Sequence, residues 1–253
     1  MIPYFPLSSI QVGPITLQMW GFFASLGVLF SLFISLVRAK KAGIDEEVIY
    51  NSFLIALIVM IAGAKIFYII FSAARDISID SLIYGGGFSF FGGAIFSAVT
   101  IYSYLKYKKL DVLKVADILT PGLAVALIFI RTGCFLVYDH VGSITDLPWS
   151  IAYSDGSWRH PASLYLLLGN VVIFCIIWYL EKRKSYFRAG AIFFVFLVLY
   201  SVFRFIFDFT RCADLGICES RYFDLTYTQL SLLAVFPVSV YYLYRLLSNK
   251  IQK

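Results

Sequence analysis

The sequence predicts an all-α membrane protein: a polytopic helix bundle of about seven transmembrane helices, N-terminus outside and C-terminus cytoplasmic. Three observations predict it. The composition is 60% hydrophobic and 14% charged, with a mean hydropathy of +0.84, against roughly 45–50% apolar residues in a soluble domain. Successive apolar runs are each long enough to cross a hydrocarbon core of about 30 Å. Basic residues fall almost only in alternate loops. Within 253 residues these runs leave little chain for anything else, so 1–253 reads as a single integral membrane domain.

Met1 to Pro14 carries no Lys or Arg. Without the basic flank of a cleavable signal, the first span is expected to remain. The runs that follow are Ile15–Val37, Val48–Phe71, Gly87–Leu105, Val115–Tyr138, Pro161–Leu180, Gly190–Asp208 and Thr226–Leu246. One set of intervening segments holds Arg38, Lys40 and Lys41; Lys106, Lys108, Lys109 and Lys114; Lys182, Arg183, Lys184 and Arg188; and the tail residues Arg245, Lys250 and Lys253. The other set holds only Arg75, Arg159, Arg211 and Arg221. The positive-inside rule places the first set in the cytoplasm at every crossing. It also accounts for the net charge of +6 without a nucleic-acid partner, since the excess sits in short loops between apolar spans. No internal repeat and no matched pair of broken helices points to an inverted-repeat transporter.

Lys65, Arg131 and Arg204 lie inside predicted spans. An ionisable group at a bilayer's centre costs roughly 3 kcal/mol or more, so it faces a bundle interior or an aqueous cavity and marks a functional candidate. At about 1.5 Å per residue all three lie within about 10 Å of the outer edge. Snorkelling to the interface is the bland alternative, strongest for Lys65. In the sixth run Tyr200, Arg204, Asp208 and Arg211 follow at helical spacing and stack on one face. An Arg204–Asp208 pair that merely locks helix packing would produce the same ladder. Arg131, at similar depth on another helix, favours a binding role: two guanidinium forks converging near the outer leaflet suit a phosphodiester headgroup.

The fourth run ends in Tyr138, Asp139 and His140, ahead of an external loop whose Trp149, Tyr153 and Trp158 read as an interfacial belt. His140 and His160 are the two histidines. Both fall on the outer side, where either could act as a general base or simply be solvated. Cys212 and Cys218 share the last external loop, where a local disulfide and two free thiols are both open. Cys134 and Cys175 lie inside spans as small hydrophobes. No His or Cys pair has ligand spacing within one helix, so neither a metal nor a cofactor is expected.

These residues, in order, resemble bacterial prolipoprotein diacylglyceryl transferases. The resemblance runs through Val12-Gly13-Pro14 with Trp20-Gly21, Gly63-Ala64-Lys65, Gly86-Gly87-Phe88-Ser89-Phe90-Phe91-Gly92-Gly93, Asp117 and Pro121, and Arg131-Thr132-Gly133-Cys134-Phe135. It continues through Arg159-His160-Pro161 with Leu164-Tyr165, Tyr200 to Arg204 with Asp208 and Arg211, and Thr228-Gln229-Leu230-Ser231. The resemblance implies transfer of the diacylglyceryl group of phosphatidylglycerol to the thiol of a lipobox cysteine in a prolipoprotein, at the outer leaflet of a bacterial inner membrane. Arg131 and Arg204 match the family's two essential arginines and would hold the departing phosphate. Asp139 and Asp208 stand where the family usually has Glu and would orient the arginines or contact the headgroup. Tyr200, Arg211 and Lys65 complete the candidate substrate contacts, with His140 as a candidate base.

The chain departs from the family pattern at four places. Phe91 stands where the family has a histidine, Trp20 replaces a tyrosine, Cys134 replaces the signature asparagine, and Lys65 replaces an arginine. The alternative is therefore a catalytically altered or inactive relative that binds an anionic phospholipid or modifies a different acceptor.

Overall fold

Why the chain forms this bundle is visible in the computed structural model, which describes residues 1–3, 5–72, 90–183, 187–215, 218 and 221–248. Its helices are α1 (Met19–Lys41), α2 (Glu46–Ser72), α3 (Phe90–Tyr107), α4 (Val112–Leu136), α5 (Ala162–Glu181), α6 (Ala191–Phe207) and α7 (Tyr227–Ser248). Six of them are long and apolar enough to cross a membrane; α3, 18 residues long, begins at the edge of a described segment. The predicted onset of the third span at Gly87, the Gly86 to Ser89 part of the glycine-rich motif, Arg75, Lys184, Lys250 and Lys253 lie outside the described residues, as does the Phe91 side chain. Apolar side chains such as Leu29, Phe33, Ile58 and Leu233 stand exposed on the helix surfaces, as expected where lipid is the solvent.

The first span starts later than the apolar run. Ser9–Val12 (β1) and Ile15–Gln18 (β2) form an antiparallel hairpin with Val12 paired to Ile15. Gly13, at the first central position, has φ +60°. With Pro14 second, this is the pattern of a type II′ turn, whose twist suits two strands joined by two residues. Ile15–Gln18 alternates apolar Ile15 and Leu17 with polar Thr16 and Gln18, a stretch too short for hydropathy alone to tell from the start of a helix.

By contact the chain divides into two compact units, residues 35–115 and residues 1–34 with 116–253, each described by itself. In the first, α2 and α3 pack closely because small residues meet. A Cβ on Gly63 would lie 2.7 Å from Phe96 Cβ, and one on Gly92 would clash with the Phe67 side chain. Small residues let helix backbones approach where lipid supplies no hydrophobic drive between helices. Lys65 lies on α2 between Gly63 and Phe67, two residues from each, and is half-buried.

In the second unit Ala124 of α4, Ile173 and Ile177 of α5, and Ile192 and Phe196 of α6 form a buried cluster. The start of α6 is fixed by a carboxylate from α4. Asp117 is buried, accepting the Gly190 N–H at Oδ2 (2.7 Å) and the Phe193 N–H at Oδ1 (2.8 Å). This satisfies two of the orphan donors of the helix N-terminus and places negative charge at the positive end of its dipole. Gly190 precedes the helix with φ +93°, a conformation that costs glycine little.

At the other end of the unit the connections carry the polar residues. α4 closes in a Schellman arrangement, Asp139 N–H bonding to Cys134 O (3.0 Å) and Tyr138 N–H to Phe135 O (3.3 Å). The left-handed position is filled by Tyr138 (φ +57°) rather than glycine. Its hydroxyl offsets the strain by donating to Pro3 O and accepting from Phe5 N–H, each at 3.0 Å. The loop after α4 is stitched to the chain leaving α6 through Ser143 N–H to Thr210 O and Cys212 N–H to Val141 O, both 2.9 Å.

Asp117→Ala removes the anchor of α6 at its basic-loop end. Loss of two charge-assisted bonds at a buried helix terminus is expected to cost about 1–3 kcal/mol. A lower thermal midpoint of the detergent-solubilised protein checks it, and an unchanged midpoint refutes it.

Candidate functional site

The last turn of α6 and the first of α7 are tied together by a buried carboxylate. Asp208 opens a 3-10 turn (Asp208–Thr210) that extends α6 and is fully buried. Its Oδ1 lies 3.2 Å from Arg204 Nη2 and 3.9 Å from Arg211 Nη1, while its Oδ2 accepts the Thr226 hydroxyl at 2.9 Å. Thr226 is also the cap of α7. Its Oγ1 accepts the Gln229 N–H (3.1 Å), and Gln229 Oε1 accepts the Thr226 N–H (2.9 Å), the reciprocal bonds of a capping box. The free end of Gln229 donates from Nε2 to Phe205 O at 3.0 Å, satisfying a terminal carbonyl of α6.

Arg204 is 5% exposed. Only Nη2 faces Asp208; Nε and Nη1 have no hydrogen-bond partner among the described residues. An unmet buried donor costs about 1–3 kcal/mol, more for a charged group. The Ser201 hydroxyl, one turn earlier on α6, is likewise buried without a partner among the described residues. Tyr200 stacks on Phe196 at 6.0 Å between ring centroids and is close enough for its charge state to act on Arg204. Arg131, half-buried near the end of α4, directs Nη1 to Cys134 Sγ at 3.8 Å.

His140 is where these cations meet. Its Nδ1 accepts from Arg211 Nη2, its N–H donates to Asp139 Oδ1 (2.9 Å), and its Nε2 lies 3.6 Å from Asp139 Oδ2. Burial, then the charges of Arg211, Arg131 and Arg204, push its pKa down to about 2. Arg131 on α4 and Arg204 on α6 are both close enough for their charges to act on this imidazole. His140, like Tyr138, adopts a positive φ (+63°), so Asp139 is flanked by two left-handed residues, a strain typical of functional sites. Tyr138, Asp139, His140, Val141, Arg211, Cys212 and Cys218 line a cavity of about 350 Å³. The Asp139 side chain is about half exposed at its rim. Ligand atoms of Cys134, Asp139 and His140 lie within 4.8 Å of one another, but three guanidinium charges around them favour an anion over a cation.

Lys65, on α2, belongs to the other unit, so its placement is described there. His160, the second histidine, bonds to the Tyr165 hydroxyl through Nδ1 (3.1 Å), and burial lowers its pKa.

Sequence reasoning did not single out the side chain that braces the loops at this end of the unit. Arg159 is 1% exposed. It donates to Gly142 O (3.1 Å), Ser157 Oγ (2.6 Å) and both oxygens of Asp214 (3.1 and 2.8 Å), and pairs with Asp155 at 3.3 Å. Asp214, whose pKa is lowered by its bond to Arg159, lies inside the loop closed by a Cys212–Cys218 disulfide. The only sequence signal was Arg159-His160-Pro161; partners fifty residues away are invisible to local spacing. The Thr226-x-x-Gln229 box, by contrast, was readable by its spacing.

The family described as prolipoprotein diacylglyceryl transferase matches residues 8–245. The chain is similar to proteins named phosphatidylglycerol–prolipoprotein diacylglyceryl transferase. That of Finegoldia magna is 32% identical over 210 residues, covering 82% of this chain and 84% of the relative. That of Clostridium tetani is 31% identical, covering 76% and 80%, and that of Nitratidesulfovibrio vulgaris 29% identical, covering 94% and 92%.

A histidine held neutral by its surroundings makes stability depend on pH with a definite sign. Its folded pKa, about 2, lies below the unfolded value near 6.5, so the unfolded state binds the proton more readily. The His140 contribution is complete above about pH 6.5 and is lost progressively as pH falls below it. The thermal midpoint is expected to drop between pH 7.5 and pH 5, and His140→Gln, which keeps a neutral acceptor, is expected to remove the larger part of that drop. An equal drop in the variant refutes this reading.

Proposed function

This chain belongs to the prolipoprotein diacylglyceryl transferase family, and from that premise we propose that it moves the diacylglyceryl group of phosphatidylglycerol to the thiol of a lipobox cysteine in a prolipoprotein. The reaction takes place at the outer leaflet of a bacterial inner membrane. The N-terminus lies outside and the basic loops lie in the cytoplasm. The observation that carries the reading is the Arg204 guanidinium, buried with Nε and Nη1 unmatched by any described group in the combined field of Arg131 and Arg211.

The chemistry needs this arrangement. The lipobox thiolate attacks the glyceryl carbon, the carbon–oxygen bond to phosphate breaks, and glycerol phosphate leaves. A phosphodiester with one negative charge becomes a phosphomonoester that gains a second. Cations already fixed in a dry site stabilise that added charge without reorganising during the reaction. Arg204 offers two donors, and Arg131 approaches from the neighbouring helix. Asp208 holds Arg204 and Arg211 in place, Asp139 at the cavity rim contacts the polar headgroup or the arginines, and Tyr200 packs behind Arg204. Lys65, on α2, is the remaining candidate contact for the substrate.

His140 holds Arg211 rather than taking the thiol proton. A group whose conjugate acid has a pKa near 2 captures protons poorly at neutral pH. As a neutral acceptor it fixes a guanidinium without cancelling its charge.

Arg131→Ala and Arg204→Ala are each expected to lower transfer by at least about 100-fold, the loss typical of removing one charge-stabilising donor, while the protein still inserts. Mass spectrometry of a lipobox peptide incubated with purified protein and phosphatidylglycerol reads it as a gain of one diacylglyceryl unit. Retained transfer in both variants removes the mechanism. No transfer by the wild-type protein removes the activity.

A further inference from the structure

Two of the positions at which the chain departs from its family touch each other. Trp20, in the first turn of α1, donates its indole Nε1–H to Cys134 Sγ at 3.3 Å. The same sulfur receives Arg131 Nη1 at 3.8 Å. Arg131 and Cys134 are three residues apart on α4 and so share a face, and the thiol is 2% exposed. The helices are locked at this depth: a Cβ on Gly133 would lie 3.2 Å from both Trp20 Cα and Phe23 Cβ. About two turns away along both helices, a Cβ on Gly27 would lie 3.0 Å from Ala126 O. The indole therefore lies over the sulfur on a backbone with little room to shift.

We propose that Trp20 and Cys134 act as one unit that positions Arg131 for the transfer reaction, Cys134 through the guanidinium and Trp20 through the thiol. The proposal rests on the transferase reading above. Arg131 has a long flexible stem, and free rotation would scatter its fork over several orientations. A thiol sulfur is a weak acceptor with room for two donors. The indole N–H fixes one side of it, and the other is left for Nη1. The thiol bears no full charge in this buried place, so the guanidinium is oriented without being neutralised, and its field remains available to a phosphate. A carboxylate here would hold Arg131 more tightly and cancel the charge the reaction uses. The residue on α1 and its acceptor on α4 form a single contact, so an exchange on one helix acts through the other.

The test is a mutant cycle on the full-length detergent-purified protein, with transfer from phosphatidylglycerol to a lipobox peptide as readout. Trp20→Phe keeps the ring and removes the N–H; Cys134→Ala removes the acceptor. Each is expected to lower kcat about tenfold with KM for the lipid within about twofold, and the double variant is expected to fall no further than the worse single one, as for residues acting as a unit. The joint exchange Trp20→Tyr with Cys134→Asn, the residues the family carries at these positions, is expected to return kcat to within about threefold of wild type, whereas either exchange alone is not. Multiplicative losses in the double variant overturn the proposal, as does a loss that tracks a lowered thermal midpoint. A wild-type protein that transfers nothing overturns the transferase reading instead. The contact is then judged by maleimide labelling of Cys134, resolved by mass spectrometry from the exposed Cys175. Trp20→Phe is expected to speed it about fivefold, since thiol reactivity follows exposure, and an unchanged rate overturns the contact.

Discussion

Everything at the polar end of the second unit depends on how one fully buried carboxylate is satisfied. Asp208 is surrounded by two guanidinium groups and a hydroxyl, and removing any of them leaves charge or a lone pair in a place without water. An isolated ion there costs several kcal/mol, whereas a compensated one is tolerated. The same carboxylate links three elements: α6 through Arg204, the chain beyond it through Arg211, and α7 through Thr226. Because Thr226 and Gln229 also close the capping box, the start of α7 and the orientation of both arginines are settled together. Arg159 plays the parallel role in the loops, where Asp155, Asp214 and the Gly142 carbonyl converge on it.

The transmembrane architecture was legible because lipid imposes a long-period signal. About 20 apolar residues per crossing and basic ends in alternate loops survive errors of several residues at each boundary. The errors lie where lipid is not the arbiter. Ile15–Gln18 reads as the start of a span and is instead a hairpin strand, because four residues are too few to separate the two periods. In the site, the Arg204–Asp208–Arg211 ladder was legible since helical spacing alone stacks it. That Asp208 would also cap α7 was not, because the contact joins positions separated by a loop. Likewise Asp117 stood out only as a motif residue, and its bonds to Gly190 and Phe193 cross seventy residues of chain. Nor could sequence say that Arg211 would lean on His140: the two meet because the Schellman turn at Tyr138 sends Asp139 and His140 back over the end of α4.

The charge balance of the cluster follows from which acceptors hold each cation. Arg204 and Arg211 share Asp208, Arg211 also uses the neutral imidazole of His140, and Arg131 uses the neutral sulfur of Cys134. Asp139 lies beside His140 and stands half in the open, where its field is screened. Arg204 and Arg211 thus share one buried carboxylate while Arg131 rests on a sulfur, and among the described residues the cluster carries more positive than negative charge in a medium where charge acts strongly. A structural ion-pair network would pair its cations one to one. This cluster uses neutral acceptors where carboxylates would stabilise it further, leaves two Arg204 donors unmatched by described groups, and tolerates left-handed backbone on both sides of Asp139. Stability is forgone at several adjacent points, and an incoming anion would meet the unmatched donors among them. That pattern suits a group that arrives with its own negative charge, because each neutral acceptor leaves a guanidinium field uncancelled.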